Sequence, residues 1–311
     1  MTDFGGREGL LALLVGIMLI VVIVIAALAF APLMPFEADD QRTVAADGSP
    51  GNLVLSVDAD ICTVEVEFAE MIGDVLAVDL DVDGRRGLFV SDPAVDLSLE
   101  QSTVGDDMLV NVVLDMPSGP TVQYDDLRMR LIIDPGMMVS VTVVTDVGDV
   151  YLEAPPGVDL GDVSLFAKVG SVHADLGEGV LVTGDVELRC NVGSVYMEAT
   201  NAVLEDGVTV TLRTSTGSVH ADLAQEASPG GNATILCRTV TGSVYLDLRI
   251  AGSTAAEITS QTDVGDINTE LEGFEGLDVH LVSQNHPDQF NLEFQIEVDV
   301  GSIEISAERT V

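Results

Sequence analysis

The 311-residue chain carries 52 acidic against 12 basic residues, a net charge of −40 at pH 7, with no tryptophan and a single lysine, Lys168. A field of that sign repels nucleic acid and anionic headgroups and favours cations or basic partners. The acids are interleaved with Val, Ile and Leu instead of gathered in blocks, which separates the chain from disordered acidic tails. Scarce lysine with abundant aspartate also suits a halophilic protein that stays soluble at high salt.

Residues 1–9 read as a short N-terminal tail. From Leu10 to Phe30 the run LLALLVGIMLIVVIVIAALAF holds no charge over 21 positions. At about 1.5 Å per residue it crosses a hydrocarbon core of about 30 Å, so 10–34 is expected to be a transmembrane helix and a retained signal-anchor. A cleaved signal peptide is the main competitor, because Ala29-Phe30-Ala31 offers small residues at a cleavage site. A pilin-like leader is the third reading. Arg7 on the short side and acids beyond the run place the N-terminus inside and the soluble part outside the membrane.

Residues 35–51, PFEADDQRTVAADGSPG from Pro35, are polar and rich in turn formers, and predict a linker. Beyond it the pattern is all-β. Ile61–Phe68 and Leu76–Val82 alternate apolar with polar at period two, within an N-terminal β portion spanning 52–140.

An internal repeat occupies 141–311. Around Gly148, Gly170, Gly193, Gly217, Gly242, Gly265 and Gly301 the chain reads TDVGDVYLEA, AKVGSVHADL, CNVGSVYMEA, TSTGSVHADL, TVTGSVYLDL, TDVGDINTEL and VDVGSIEISA. Successive glycines lie 22, 23, 24, 25, 23 and 36 residues apart. A strand pattern with that period predicts a parallel β-solenoid of about seven coils. The long last interval predicts a loop or extra strand over Glu272–Phe290.

The columns assign the faces. Two residues after each glycine stand Val150, Val172, Val195, Val219, Val244, Ile267 and Ile303, and five before stand Val143, Leu165, Leu188, Leu212, Cys237, Ser260 and Ile296, as ladders pointing inward. Cys62, Cys190 and Cys237 show no zinc spacing, and Cys237 in a Leu column reads as a small buried thiol. Three after the glycine, Tyr151, His173, Tyr196, His220 and Tyr245 face water. Five after it stand Glu153, Asp175, Glu198, Asp222, Asp247 and Glu270, and four before it the middle coils carry Arg189, Arg213 and Arg238. Like charges stacked at about 4.8 Å repel, a cost that salt screens.

IDPGMMVSVTVVTDVGDVYLEA, Ile133 to Ala154, with the VGSVHADL-type coils after it, resembles the putative-adhesin family of bacterial and archaeal envelope proteins. The resemblance spans 52–311 and implies a β-solenoid domain of unknown function borne on a membrane helix. It carries no functional residues across.

Among the remaining motifs, Asp79, Asp81, Asp83 and Gly84 open like a calcium loop, but position twelve is Val90 and position eight Arg86. They read instead as the wet face of a strand ending in an Asp83-Gly84 turn. The acid column could hold divalent cations weakly, while His173 and His220, two coils apart, are too distant for one zinc. Asn232-Ala233-Thr234 is a glycosylation sequon. Nucleophile elbow, phosphate loop and zincin helix are missing, so no catalytic residue, cofactor or enzymatic activity is expected. The resulting expectation is a non-enzymatic cell-envelope surface protein, structural or adhesive. Its partners would be the membrane, through Leu10–Phe30, and an envelope protein, surface protein or glycan. The alternatives are an accessory sensor subunit of an envelope-stress system and a pilin-like filament subunit.

Overall fold

The computed structural model describes residues 16–21, 33–46, 51–86, 95–116 and 122–310. Residues 16–21 of the apolar run are helical, and the rest of that run lies outside the described residues. Among the described residues no helix is long and apolar enough to cross a membrane. Among the described residues, those from Met34 onward form strands and the turns between them.

The chain divides into two units. One comprises Met1–Ala38, Val82–Ala94 and Pro117–Asp126; the other comprises Asp39–Asp81, Val95–Met116 and Leu127–Val311. In the first, the ring of Phe36 packs on Gly84, where a Cβ would stand 2.6 Å from the ring, and lies edge-on to Tyr124 at 6.1 Å.

Among the described residues seven strands, β1 (Met34–Ala45), β2 (Asn52–Ile61), β3 (Thr63–Phe68), β4 (Asp74–Arg86), β5 (Asp96–Val104), β6 (Asp107–Asp115) and β7 (Val122–Ile133), come before the repeats, and the first repeat gives β8 (Met138–Val147) and β9 (Val150–Ala154). The middle repeats give β10 (Asp159–Val169), β11 (Val172–Leu176), β12 (Leu181–Val182), β13 (Val186–Val192), β14 (Val195–Thr200), β15 (Val203–Leu204), β16 (Val208–Thr216), β17 (Val219–Gln225), β18 (Ala233–Thr241) and β19 (Val244–Ala251). Each layer sends one long strand to one sheet and, past the corner glycine, one strand to another. The first sheet has 11 strands in the order β9-β11-β14-β17-β19 through its middle; the second has 14, with β8-β10-β13-β16-β18 in parallel register.

The corner explains the repeat. The seven glycines hold φ between 140° and 151°, closed to residues with a side chain. A Cβ on any of Gly170, Gly193, Gly217, Gly242 or Gly301 would collide with the carbonyl oxygen of the corner glycine in the adjacent layer. That carbonyl is turned out of the strand ladder and needs another donor. A threonine supplies it: buried Thr214 Oγ1 donates to Gly193 O at 2.9 Å, buried Thr239 Oγ1 to Gly217 O at 3.0 Å and half-buried Thr262 Oγ1 to Gly301 O at 3.1 Å. The residue after the glycine completes the corner. Asp149 Oδ1 accepts from the Ser171 amide at 2.7 Å, and Ser171 and Ser194 Oγ accept from the next amides at 3.3 and 3.2 Å.

Four sequence expectations change here. Ile61–Phe68 is not one strand, because Cys62 is itself a corner: its carbonyl accepts from Thr145 Oγ1 at 3.2 Å and packs under Gly148. The stretch expected as a linker holds β1, whose Phe36 and Val44 are buried while Asp40 and Arg42 pair at 2.9 Å. Spending two alternating positions on an ion pair hid the strand pattern. Asp83-Gly84 continues β4 instead of turning, because glycine there makes room for the Phe36 ring.

The fourth change is layer order. The last strands are β20 (Thr254–Val264), β21 (Ile267–Glu272), β22 (Phe274–Leu277), β23 (His280–Ser283), β24 (Phe290–Val300) and β25 (Ile303–Thr310). The antiparallel pair β22–β23 fills the long interval. The chain then returns, so that β24 lies between β18 and β20 and β25 between β19 and β21. The physical reason is apolar content. β24 buries the large side chains Leu292, Phe294, Ile296 and Val298 and needs cover on both sides, whereas β20 buries the smaller Ala255 and Ala256 with Ile258, Thr254 and Ser260, and β21 is only half-buried. At the other end β2, with Leu53, Leu55 and Val57 buried, lies between β8 and β6, and β6 buries Met108, Val110, Val112 and Leu114 under β5.

The inward columns otherwise stand as expected, and Val195 is fully buried between Val172 and Val219. Val195→Asp buries an unpaired charge and should cost several kcal/mol, while Tyr196→Asp beside it should be far milder. Equal losses in chemical denaturation would refute the register. Thr239→Val should cost about 1–2 kcal/mol by stripping the Gly217 carbonyl of its donor.

Candidate binding groove

Tyr151, His173, Tyr196, His220 and Tyr245 project from β9, β11, β14, β17 and β19 at the same register position. Parallel pairing without a shift forces one ring directly over the next. The four ring pairs stack at centroid distances of 4.6, 4.4, 4.6 and 4.6 Å with interplanar angles of 16° or less. Two residues on, the acids form a second column. Between the columns runs an open groove of about 510 Å³ whose floor includes Ala174 and Met197.

The acid column differs from the sequence reading at both ends. Glu67 pairs in register with Glu153, so the unbroken run is Glu67, Glu153, Asp175, Glu198, Asp222 and Asp247. Ser306 then intervenes before Glu270, because β25 is inserted between β19 and β21. Glu67 was legible: it stands five residues after Cys62 as Glu153 stands five after Gly148, once Cys62 is recognised as a corner. Arg130 Nε lies 3.6 Å from Glu67 and 3.8 Å from Glu65, and Arg249 Nη2 lies 3.1 Å from Asp222. Glu153, Asp175, Glu198 and Asp247 have no ion pair among the described residues.

Stacking consumes the ring faces, so the groove wall is ring edges and Tyr hydroxyls. Ring edges carry the positive side of the aromatic quadrupole and sit favourably beside carboxylates. Burial between tyrosines pushes the His173 imidazole pKa down, with nearby Asp149 opposing, and burial pushes His220 down likewise. Burial and the Asp149 carboxylate push Tyr151 up. The histidines therefore fit the stack as neutral rings, with Tyr196 between them instead of a shared metal.

The other candidates disperse. Asp79, Asp81 and Asp83 alternate along β4 and do not wrap round one point, and Val90 lies outside the described residues. Among the described residues no group of three or more His, Cys, Asp or Glu side chains could hold a metal ion. Asn232 donates from Nδ2 to Asp206 Oδ1 at 2.9 Å and accepts from the Asn291 amide at 2.9 Å, so the sequon amide is engaged in a lateral ladder. Those bonds from Asn232 hold Asp206 below the usual carboxylate range. Cys62, Cys190 and Cys237 are buried free thiols, and burial pushes Cys237 up to about 12.

No family model matches the chain, and no curated protein matches it. Among solved structures, it is similar to a putative cell adhesion protein from Clostridium sporogenes, at 12% identity and a TM-score of 0.44, covering 88% of this chain and 100% of that one. It is also similar to a putative adhesin from Parabacteroides distasonis, at 10% identity and 0.38, covering 86% and 97%. A putative adhesin from Bacteroides fragilis gives 9% and 0.32, covering 87% and 97%. Values in this range transfer no residue role.

Two predictions follow from the columns. Neighbouring unpaired carboxylates repel by about 1 kcal/mol before screening. Asp175→Asn with Glu198→Gln should therefore raise the Tm at low ionic strength, and the gap should close in about 1 M NaCl. A lower Tm would mean that these acids hold a cation. Asp222 is unsuitable for this test, since its Arg249 partner makes it attractive. For pH, the lowered histidine pKa values favour the neutral folded form. Their contribution is present above the unfolded value of about 6.5 and is lost as pH falls towards the folded values. Replacing His173 and His220 by Phe should reduce the loss of Tm between about pH 7 and pH 5 in thermal scans.

Proposed function

We propose that this chain is a membrane-anchored β-solenoid of the cell envelope, non-enzymatic, whose soluble part lies outside the membrane and presents the acidic groove to a basic partner as a structural or adhesive surface. In this reading 10–34 is the anchor, 52–140 starts the stack and 141–311 continues it. The observation that supports it is the in-register run of six carboxylates beside five stacked rings. A ladder repeated every layer is a surface built for an extended, repetitive contact. Catalytic constellations are singular, and the polar groups of this groove recur in each repeat. Stacked rings lose little further side-chain entropy on binding, which favours docking on a rigid face.

Protease added to intact cells should remove the soluble part, and protection until lysis would sink the outward topology. Cells displaying the full chain should adhere to a polylysine-coated surface, and adhesion should fall about tenfold on changing Glu153, Asp175 and Glu198 to their amides. Adhesion unaltered by those changes would refute the groove as the contact surface.

A further inference from the structure

The second sheet carries a column of charge opposite in sign to that of the chain. Arg189, Arg213 and Arg238 stand on β13, β16 and β18, directly opposite one another in consecutive layers. Three guanidiniums about 4.8 Å apart repel, yet they use three of the chain's 12 basic residues. All three are exposed. Arg238 has Glu297 at 3.3 Å, whereas Arg189 stacks on the Phe166 ring at 5.0 Å and Arg213 has no ion pair among the described residues. Thr211 and Ser215 flank Arg213, and Glu187 and Asn191 flank Arg189, while Arg238 has Glu297 and, at 4.0 Å, Asp299 on its outer side. The result is a basic island on a polyanion.

We propose that this arginine ladder docks into the carboxylate groove of a second copy of the chain. Layer matching favours that occupant. β13 and β14 belong to one layer, as do β16 and β17, and β18 and β19. Arg189 is therefore level with Glu198, Arg213 with Asp222, and Arg238 with Asp247. Copies related by a sideways shift, with no axial slip, bring all three arginines to consecutive carboxylates at the same repeat. A small anion satisfies one guanidinium fork, but only a partner with one negative charge per layer satisfies the ladder. The arginine stems would lie along the ring edges while the guanidiniums reach the acids. The contact joins different faces of the two copies, so it does not close and can extend into a row. Because each copy carries −40, long-range repulsion opposes the approach at low salt. Screening to about 3 Å in about 1 M salt removes that barrier while leaving direct contacts.

The proposal rests on the groove reading above, with the basic partner now specified. Full-length Arg213→Cys and Asp222→Cys variants, mixed in lipid nanodiscs in about 1 M NaCl, should form a disulfide heterodimer under mild oxidation. The yield should be about tenfold above that of Arg213→Cys mixed with Glu153→Cys, three layers out of register. The native thiols are buried and do not compete. Equal yields, or Arg213→Cys dimerising with itself, would overturn the pairing. In sedimentation the parent chain should associate as salt is raised, and Arg189→Gln with Arg213→Gln should abolish that association. Failure to associate while an oligolysine peptide still binds the groove overturns this inference alone; failure of both removes the groove reading as well. Binding of alginate to the arginine ladder without self-association would replace the second copy by an acidic glycan.

Discussion

The close approach of one corner glycine to the carbonyl of the next layer sets the register on which every other feature depends. At φ near 140° the backbone turns from one sheet to the other in a space that admits no Cβ. Once the corners are stacked without offset, each residue at a given distance from its glycine lies over its counterpart, and a column in the sequence becomes a column in space. The threonines and the serine or aspartate after each glycine satisfy the polar groups that such a corner exposes.

Exact stacking amplifies whatever residue a column contains. Aliphatic columns become continuous cores, and rings become a five-membered stack. Charges are amplified unfavourably, and the chain carries two such columns of opposite sign on different sheets. The acid column is relieved at Glu67 by Arg130 and at Asp222 by Arg249, and the arginine column by Phe166 and Glu297. Their middles retain unpaired charge, and that residue of unsatisfied electrostatics is what makes the two faces candidates for contact.

Apolar content decides the late layers: β24, with four large alternating side chains buried, takes an interior place, and half-buried β21 lies outside β25. The antiparallel pairings of β5 with β6 and of β22 with β23 then cover the second sheet's edges. An antiparallel strand with a short partner blocks the open parallel template that would otherwise recruit further chains.

The sequence by itself determined the period, the inward and outward columns and the corner glycines, because a parallel ladder without offset maps linear spacing directly onto space. It also determined which residues could line a groove. Tertiary structure alone decided the order of the layers, since the choice between β21 and β25 as neighbour of β19 depends on which strand most needs cover, not on which comes next. That choice put Ser306 between Asp247 and Glu270 and ended the acid run. Tertiary structure also decided that Cys62 is a corner without glycine and that β1 is a strand despite its polar residues. In both places hydrogen bonds to a neighbouring layer stand in for the side-chain pattern that local sequence would have to supply.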